Sequence, residues 1–382
     1  MRTLLTGTFT TSKMKQIFEI VNETAENFVD YFKNKNECFI EIEMKDTFTR
    51  FANDVIATTA FGLKVDSLKE PNNKFFLMGQ KVTNFGKLIT SLKFVVFFTA
   101  PNLYKFFRIS IFARDLTEYF KNIIYETIQL REKKGIVRQD VINLLLEAKR
   151  GIKPEKQDTD EDNQRLLSND DITSQAIIFF IAGFETISTT LGFATYELAV
   201  NKEIQEKLRV EIIETHKTNN CKLSYYSLLK MTYMDMVFSE VLRKWPPVIT
   251  VDRVCTKPYT IEPARPNEKP VHLKVGDVLW LPMYPLQRDP RYYPNPEKFD
   301  PERFSSENKD KIQPYTYIPF GSGPRNCIGS RFAFLEAKAA IYNLLLNFEI
   351  VPTKRTQIPL KLAARSPLPK AERGHWLALK RL

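Results

Sequence analysis

Histidine is nearly missing from this chain. His216, His272 and His375 are the three in 382 residues, too few and too far apart to build a histidine metal centre. Cysteine is almost as scarce. Cys38, Cys221, Cys255 and Cys327 share no close spacing, which excludes a closed four-ligand zinc site and gives no disulfide framework. That usage suits a reducing compartment, so the expected location faces the cytosol. Glycine is sparse at 13 residues, and no Pro/Gly/Ser-rich linker or internal repeat divides the sequence, so 1–382 reads as a single continuous domain. No block of like charge explains the net charge of +11. Scattered Lys and Arg argue against nucleic acid and for a basic face turned to an acidic protein or an anionic lipid surface. Nor does the chain open on a signal peptide or membrane span, because residues 1–7 are short and polar. The longest apolar run, 176–184, is broken by Glu185 and several Ser and Thr residues, and it reads as a buried helix.

What is present is helical periodicity. Apolar residues recur at helical intervals over 12–32, 48–61 and 115–130. Ser168, three residues before Asp171, signals the start of a long helix over 171–200. A further helix over 226–244 must stop before Pro246-Pro247, and another is expected over 329–346. Three short β-prone runs follow the double proline: Tyr259-Thr260-Ile261, Val271-His272-Leu273 and Val278-Leu279-Trp280-Leu281, the last two bracketing a turn at Gly276-Asp277. A proline-rich meander spans 289–304. The chain is therefore expected to be mainly α with a small β part. Residues 92–107 interleave Phe94, Phe97, Phe98, Tyr104, Phe106 and Phe107 with Lys93 and Lys105, and Arg108 follows. Two readings stay open for it, ordinary helix packing or a segment at a membrane interface near a substrate entrance.

The densest chemical signal is Phe320-Gly321-Ser322-Gly323-Pro324-Arg325-Asn326-Cys327-Ile328-Gly329. It places one cysteine in a glycine-rich loop that opens into a helix. A nearby helix N-terminus and Arg325 favour the thiolate, and glycines leave loop amides able to point at sulfur. A buried structural thiol is the plain alternative. With Arg331-Phe332-Ala333 following, however, the run resembles the heme-binding signature of the cytochromes P450. That resemblance implies heme b with Cys327 as proximal iron ligand, Arg325 on a heme propionate, Phe320 packed beside the sulfur, and Gly323 and Gly329 shaping the loop. It also implies the family's triangular helical prism. Thiolate ligation pushes electron density onto iron and favours O–O cleavage.

Other landmarks extend the resemblance over essentially the whole chain. Ala182-Gly183-Phe184-Glu185-Thr186 is similar to the family's distal helix, where small residues admit the heme and the acid and hydroxyl deliver protons, so Glu185 and Thr186 are the expected catalytic pair. Glu240 and Arg243 stand one turn apart and precede Arg303 in Pro301-Glu302-Arg303-Phe304. In the family this trio braces the cysteine loop. Arg253 and Arg2 match positions that contact the propionates, and Gln287, where relatives often carry histidine, is expected to matter little. The family's membrane anchor, first helices and first strands have no counterpart here, so the chain reads as N-terminally truncated. The motifs look most like microsomal monooxygenases of the insect detoxification type. They imply a small lipophilic substrate, NADPH-cytochrome P450 reductase and cytochrome b5 as partners, and a peripheral place on the cytosolic face of the endoplasmic reticulum. Lys244, Arg331 and Lys338 are the expected reductase-docking cations. The rival reading is a non-catalytic, heme-deficient remnant of such an enzyme.

Overall fold

The computed structural model describes residues 9–83, 92–93, 95–97, 100, 103, 106–107, 109–110, 112–138, 140–149, 167–364, 366 and 368–382. Its elements are, in order, α1 (Thr11–Lys33), β1 (Phe39–Glu43), α2 (Met44–Ala60), α3 (Lys74–Thr83), α4 (Arg114–Lys134), α5 (Val141–Lys149), α6 (Asn169–Val200), α7 (Lys202–Thr218), α8 (Tyr225–Leu229), α9 (Thr232–Lys244), β2 (Val251–Val254), β3 (Tyr259–Ile261), β4 (Val271–Leu273), β5 (Val278–Leu281), α10 (Met283–Leu286), α11 (Ser330–Asn347), β6 (Phe348–Pro352) and β7 (Trp376–Arg381). Helices dominate, as the periodicity predicts.

The axis of the fold is α6, and its start is written locally. Ser168 Oγ accepts the Asp171 N–H at 3.1 Å, while the Asp171 carboxylate accepts the Ser168 N–H at 2.9 Å. This reciprocal box satisfies two of the donors that a helix start leaves open, and Asp170 and Asp171 also suit its positive end. Two apolar cores share this helix. One gathers α1, α9, α11 and the C-terminal half of α6. The other gathers α2 to α5 and the N-terminal half of α6, with Phe61, Phe75, Phe120, Phe180 and Phe184 in mutual ring contact. Gly79 lets α3 come close, because a Cβ there would lie 2.5 Å from the Phe180 ring.

Three small antiparallel sheets complete the fold. β7 lies between β1 and β6, pairing Leu379 with both Ile40 and Ile350. The two runs that bracket the Gly276-Asp277 turn, β4 and β5, do not pair with each other. Instead β3 pairs with β4 and β5 returns to β2. The turn at Gly276-Asp277 belongs to that second ladder, since Cys255 N–H donates to the Asp277 carbonyl and Gly276 N–H to the Cys255 carbonyl, both at 2.8 Å.

The single helix expected over 226–244 is also divided, into α8 and α9. Glu211, on α7, accepts the N–H groups of Tyr233 and Met234 at 2.8 and 2.9 Å, so a carboxylate from a neighbouring helix starts α9 afresh. Of the described residues in the 92–107 segment, Leu92, Val95, Phe97, Leu103, Phe106 and Phe107 are exposed, while Lys93, Val96 and Ala100 are half-buried. Phe94, Phe98, Tyr104, Lys105, Arg108 and Arg2 lie outside the described residues.

The loop from α2 to α3 hangs on one buried carboxylate. Asp54 accepts Ser67 Oγ at 2.5 Å and Ser67 N–H at 2.9 Å. Burial outweighs these bonds and pushes its pKa up to about 6 from 3.8. A raised carboxyl pKa stabilises the fold fully below the unfolded value, and that stability fades as pH rises through the folded value. About two units correspond to roughly 3 kcal/mol. Asp54→Asn should therefore lose less stability than the parent between pH 4 and pH 7, by roughly that amount. Denaturant unfolding at both pH values reads it; parallel slopes would contradict it.

Candidate active site

One cavity of about 520 Å³ collects most of the residues singled out in the sequence. α6 gives it Ala182, Gly183 and Thr186; β2 gives Arg253; the cysteine loop gives Phe320, Arg325, Cys327 and Gly329. The rest of the wall is mostly apolar, including Phe9, Ile56, Phe179, Val248, Phe332 and Ala337. Gly323 belongs to the same loop without lining the cavity. Its φ of +74° and that of Gly321, +71°, fold the loop through the left-handed region that side chains avoid. Cys327 N–H then donates to the Phe320 carbonyl at 2.8 Å and closes the loop. α11 begins directly after it, with Gly329 as its N-cap, so the thiol sits at the positive end of a helix of 18 residues. None of the four cysteines is in a disulfide.

The pair expected to brace this loop is formed, and its further bonds go to the meander. Arg243 donates Nε and Nη2 to the two carboxylate oxygens of Glu240 at 2.6 and 2.8 Å, and both side chains are fully buried. Arg243 also donates to the carbonyls of Gln287 and Pro296, while Glu240 accepts the Asp300 N–H at 2.9 Å. Arg303 joins at the margin: its Nε lies 3.5 Å from Glu240, and its Nη2 donates to the Asn295 carbonyl. Burial pushes the Glu240 carboxyl up, and the bonds and charge of Arg243 pull the other way.

Gln287, where relatives often carry histidine, belongs to the same buried network. It is wholly buried, donates to the carbonyls of Leu242 and Arg243, and accepts the Ile318 N–H at 3.0 Å. It thus ties α9 to the strand of chain entering the cysteine loop. A residue set aside in the sequence is a hub of the structure. Two docking cations are overturned. Lys244 is buried against Glu197 at 2.8 Å and Lys338 is buried against Asp235 at 2.8 Å, so neither is available to a partner protein. Arg331 is exposed.

On α6 the expected acid and hydroxyl diverge. Thr186 lines the cavity and donates Oγ1 to the Ala182 carbonyl at 2.6 Å. Glu185 is not part of the lining; it pairs with Lys45 of α2 at 2.9 Å. Gly183 has a packing reason beyond the cavity, because a Cβ there would stand 2.9 Å from Ile56 Cδ1. Thr59 and Thr190, also in the wall, donate to their own helices at Val55 and Thr186. On α11, Glu336 is buried with neither carboxylate oxygen partnered, and burial holds its pKa well above the usual carboxylate range.

The donor set matches a heme. One thiol at a helix start can hold a metal axially, two guanidinium groups suit two carboxylate side arms, and the apolar wall suits the flat ring between them. The volume falls within the roughly 300–1,000 Å³ usual for cofactor and ligand pockets.

Comparisons with known proteins agree with this geometry. The family profile described as Cytochrome P450 matches residues 1–373. "Cytochrome P450 9e2" of Blattella germanica is 44% identical over 400 aligned positions, covering 100% of this chain and 74% of its own. "Probable cytochrome P450 9f2" of Drosophila melanogaster is 44% identical, covering 99% of this chain and 73% of its own. "Cytochrome P450 6k1" of Blattella germanica is 40% identical over 96% of this chain.

Glu240→Ala would strand the buried Arg243 guanidinium. Breaking such a pair from one side costs about 3–5 kcal/mol. The variant is expected to unfold at correspondingly lower denaturant and to retain less heme per chain on purification; a parent-like midpoint would remove the brace from this account.

Proposed function

Because the chain belongs to the cytochrome P450 family of heme-thiolate monooxygenases, we propose that it inserts one oxygen atom of O2 into a small lipophilic substrate, with electrons from NADPH delivered through a flavoprotein reductase. The observation that carries this reading is the meeting of Cys327, Arg253, Arg325 and Thr186 in one otherwise apolar cavity. Heme b, when bound, supplies the activation of dioxygen that no side chain can perform.

The chain's own groups then divide the remaining work. Cys327 Sγ would hold the metal from its place at the start of α11, where a thiolate is favoured. Arg325 and Arg253 orient the propionates. Phe320 packs beside the sulfur, and its ring also meets Phe334 at 5.6 Å. Thr186 presents its hydroxyl at the cavity and Glu185, one residue earlier, passes it protons from solvent. The apolar wall excludes water and selects greasy substrates by shape. Exposed Leu103, Phe106 and Phe107 support a place on a membrane surface, from which such substrates are drawn. We assign that surface to the cytosolic face of the endoplasmic reticulum, the substrates to xenobiotics, and the electron donors to NADPH-cytochrome P450 reductase with cytochrome b5. Exposed Arg331 is a docking cation for them.

The carbon monoxide difference spectrum of the reduced holoprotein tests the ligand. The parent should show the red-shifted Soret band of thiolate ligation and Cys327→Ser should lose it; the same band in both would exclude Cys327. For the hydroxyl, Thr186→Ala should keep consuming NADPH while product per NADPH falls about tenfold or more and peroxide rises. Unchanged coupling would take Thr186 out of proton delivery.

A further inference from the structure

Glu185 is not held by its own helix. Lys45, at the start of α2, spends its three ammonium protons on Glu185 Oε1 at 2.9 Å, Ser188 Oγ at 2.9 Å and Thr49 Oγ1 at 3.3 Å. Two of those acceptors belong to α6, one residue before and two residues after Thr186. At 100° per residue, Glu185 and Ser188 leave the helix on other faces than Thr186, which alone of the three lines the cavity. One cation therefore straddles, from outside, the turn that presents the hydroxyl inside.

The base of this staple is firm. Glu43 caps α2 by accepting the Asp46 N–H at 2.6 Å and also accepts the His375 N–H at 2.7 Å, which ties the start of α2 to the flank of β7. Thr49 donates back to the Lys45 carbonyl at 2.6 Å, and Ser188, fully buried, donates to the Phe184 carbonyl at 2.7 Å. The Lys45 stem and the His375 ring both pack against α6 at Gly192, each 3.6 Å from where a Cβ would be, an ordinary contact distance. The charged and titratable neighbours are Glu185 from α6, His375 beside β7, and Glu43 and Asp46 along the chain. His375, buried and with Nδ1 unpartnered, is neutral at working pH because burial and the Lys45 charge push it down to about 3. The Glu185 side chain is 26% exposed, so without a tether its carboxylate would turn to solvent.

We propose that Lys45 is a positioning residue for the monooxygenase reaction: it fixes the Glu185 carboxylate and the 185–188 turn of α6, so that protons taken up at Glu185 reach the Thr186 hydroxyl. This rests on the roles given to Glu185 and Thr186 above. Lys45 touches neither cofactor nor substrate. Its influence is on geometry, where an error of about 1 Å can cost up to a hundredfold in rate.

The test uses holoenzyme with NADPH, a flavoprotein reductase and ethoxycoumarin as probe substrate, reading peroxide released per NADPH consumed. Lys45→Met should raise that ratio roughly tenfold with KM for the probe unchanged. Lys45→Arg, which can still donate to both side chains, should stay close to the parent. Glu185→Gln should uncouple as well, and the double variant should be no worse than Glu185→Gln alone, since one path cannot be broken twice. Independently of turnover, the Lys45 ammonium of nitrogen-labelled protein should exchange its protons slowly in the parent and rapidly in Glu185→Gln. A coupled Lys45→Met, additive uncoupling in the double variant, or a rapidly exchanging ammonium in the parent each overturns the proposal. Full coupling in Glu185→Gln would sink the role of Glu185 itself, whereas uncoupling there beside a coupled Lys45→Met would sink only that of Lys45.

Discussion

The meander that precedes the cysteine loop is tied to the ion pair of Glu240 and Arg243. Neither side chain reaches solvent, so the desolvation of two charges must be offset where they sit. Their mutual bonds do part of that. The rest comes from irregular backbone that has no ladder of its own: the carbonyls of Gln287 and Pro296 take guanidinium protons, and the Asp300 amide gives its proton to the carboxylate. Buried main-chain groups must be paired somewhere, and a proline-rich meander cannot pair all of them internally. An apolar couple of equal volume would fill the space and leave those groups orphaned. The charges are therefore the condition on which unstructured chain can be packed into the interior. Gln287 passes the same constraint to the Ile318 amide, two residues before the cysteine loop begins.

The long α6 answers a different demand. It must be buried along most of its length while one stretch remains open to a ligand. It meets α2 across Gly183 and Ile56, meets α3 across Phe180 and Gly79, and turns Ala182 and Thr186 to the cavity. Four hydroxyls in its middle spend their protons locally: Thr186, Ser188, Thr190 and Thr195 all bond back to carbonyls one turn earlier. Such bonds let hydroxyls sit in a buried helix without a partner from elsewhere.

Local signals in the sequence were read well. The box at Ser168 and Asp171, the stop before Pro246, the helix after Gly329 and the loop at Cys327 all depend on neighbours within a few positions. The misreadings concern contacts that cross the chain. Strand pairing was not legible because β5 answers to β2, across a turn whose bonds reach Cys255. A helix was read as unbroken because the group that restarts it, Glu211, lies on another helix. Lys244 and Lys338 resembled surface cations, and Gln287 a neutral substitution, because burial is not a local property. Lys45 stands 140 positions from Glu185, and no spacing rule joins them.

The cavity threonines have a consequence for discrimination between ligands. Thr59 and Thr190 each spend their proton on a helix carbonyl, so the wall offers these two hydroxyls only as acceptors. An apolar pocket of this kind separates homologues differing by one methylene by only about 10–200-fold, and does little to reject an added hydroxyl. Breadth is thus a default of the architecture, and narrowness would have to be built by bulk. Each change of size along the wall, from Ile56 to Val248, would then shift a range of acceptable shapes without making or breaking a recognition code.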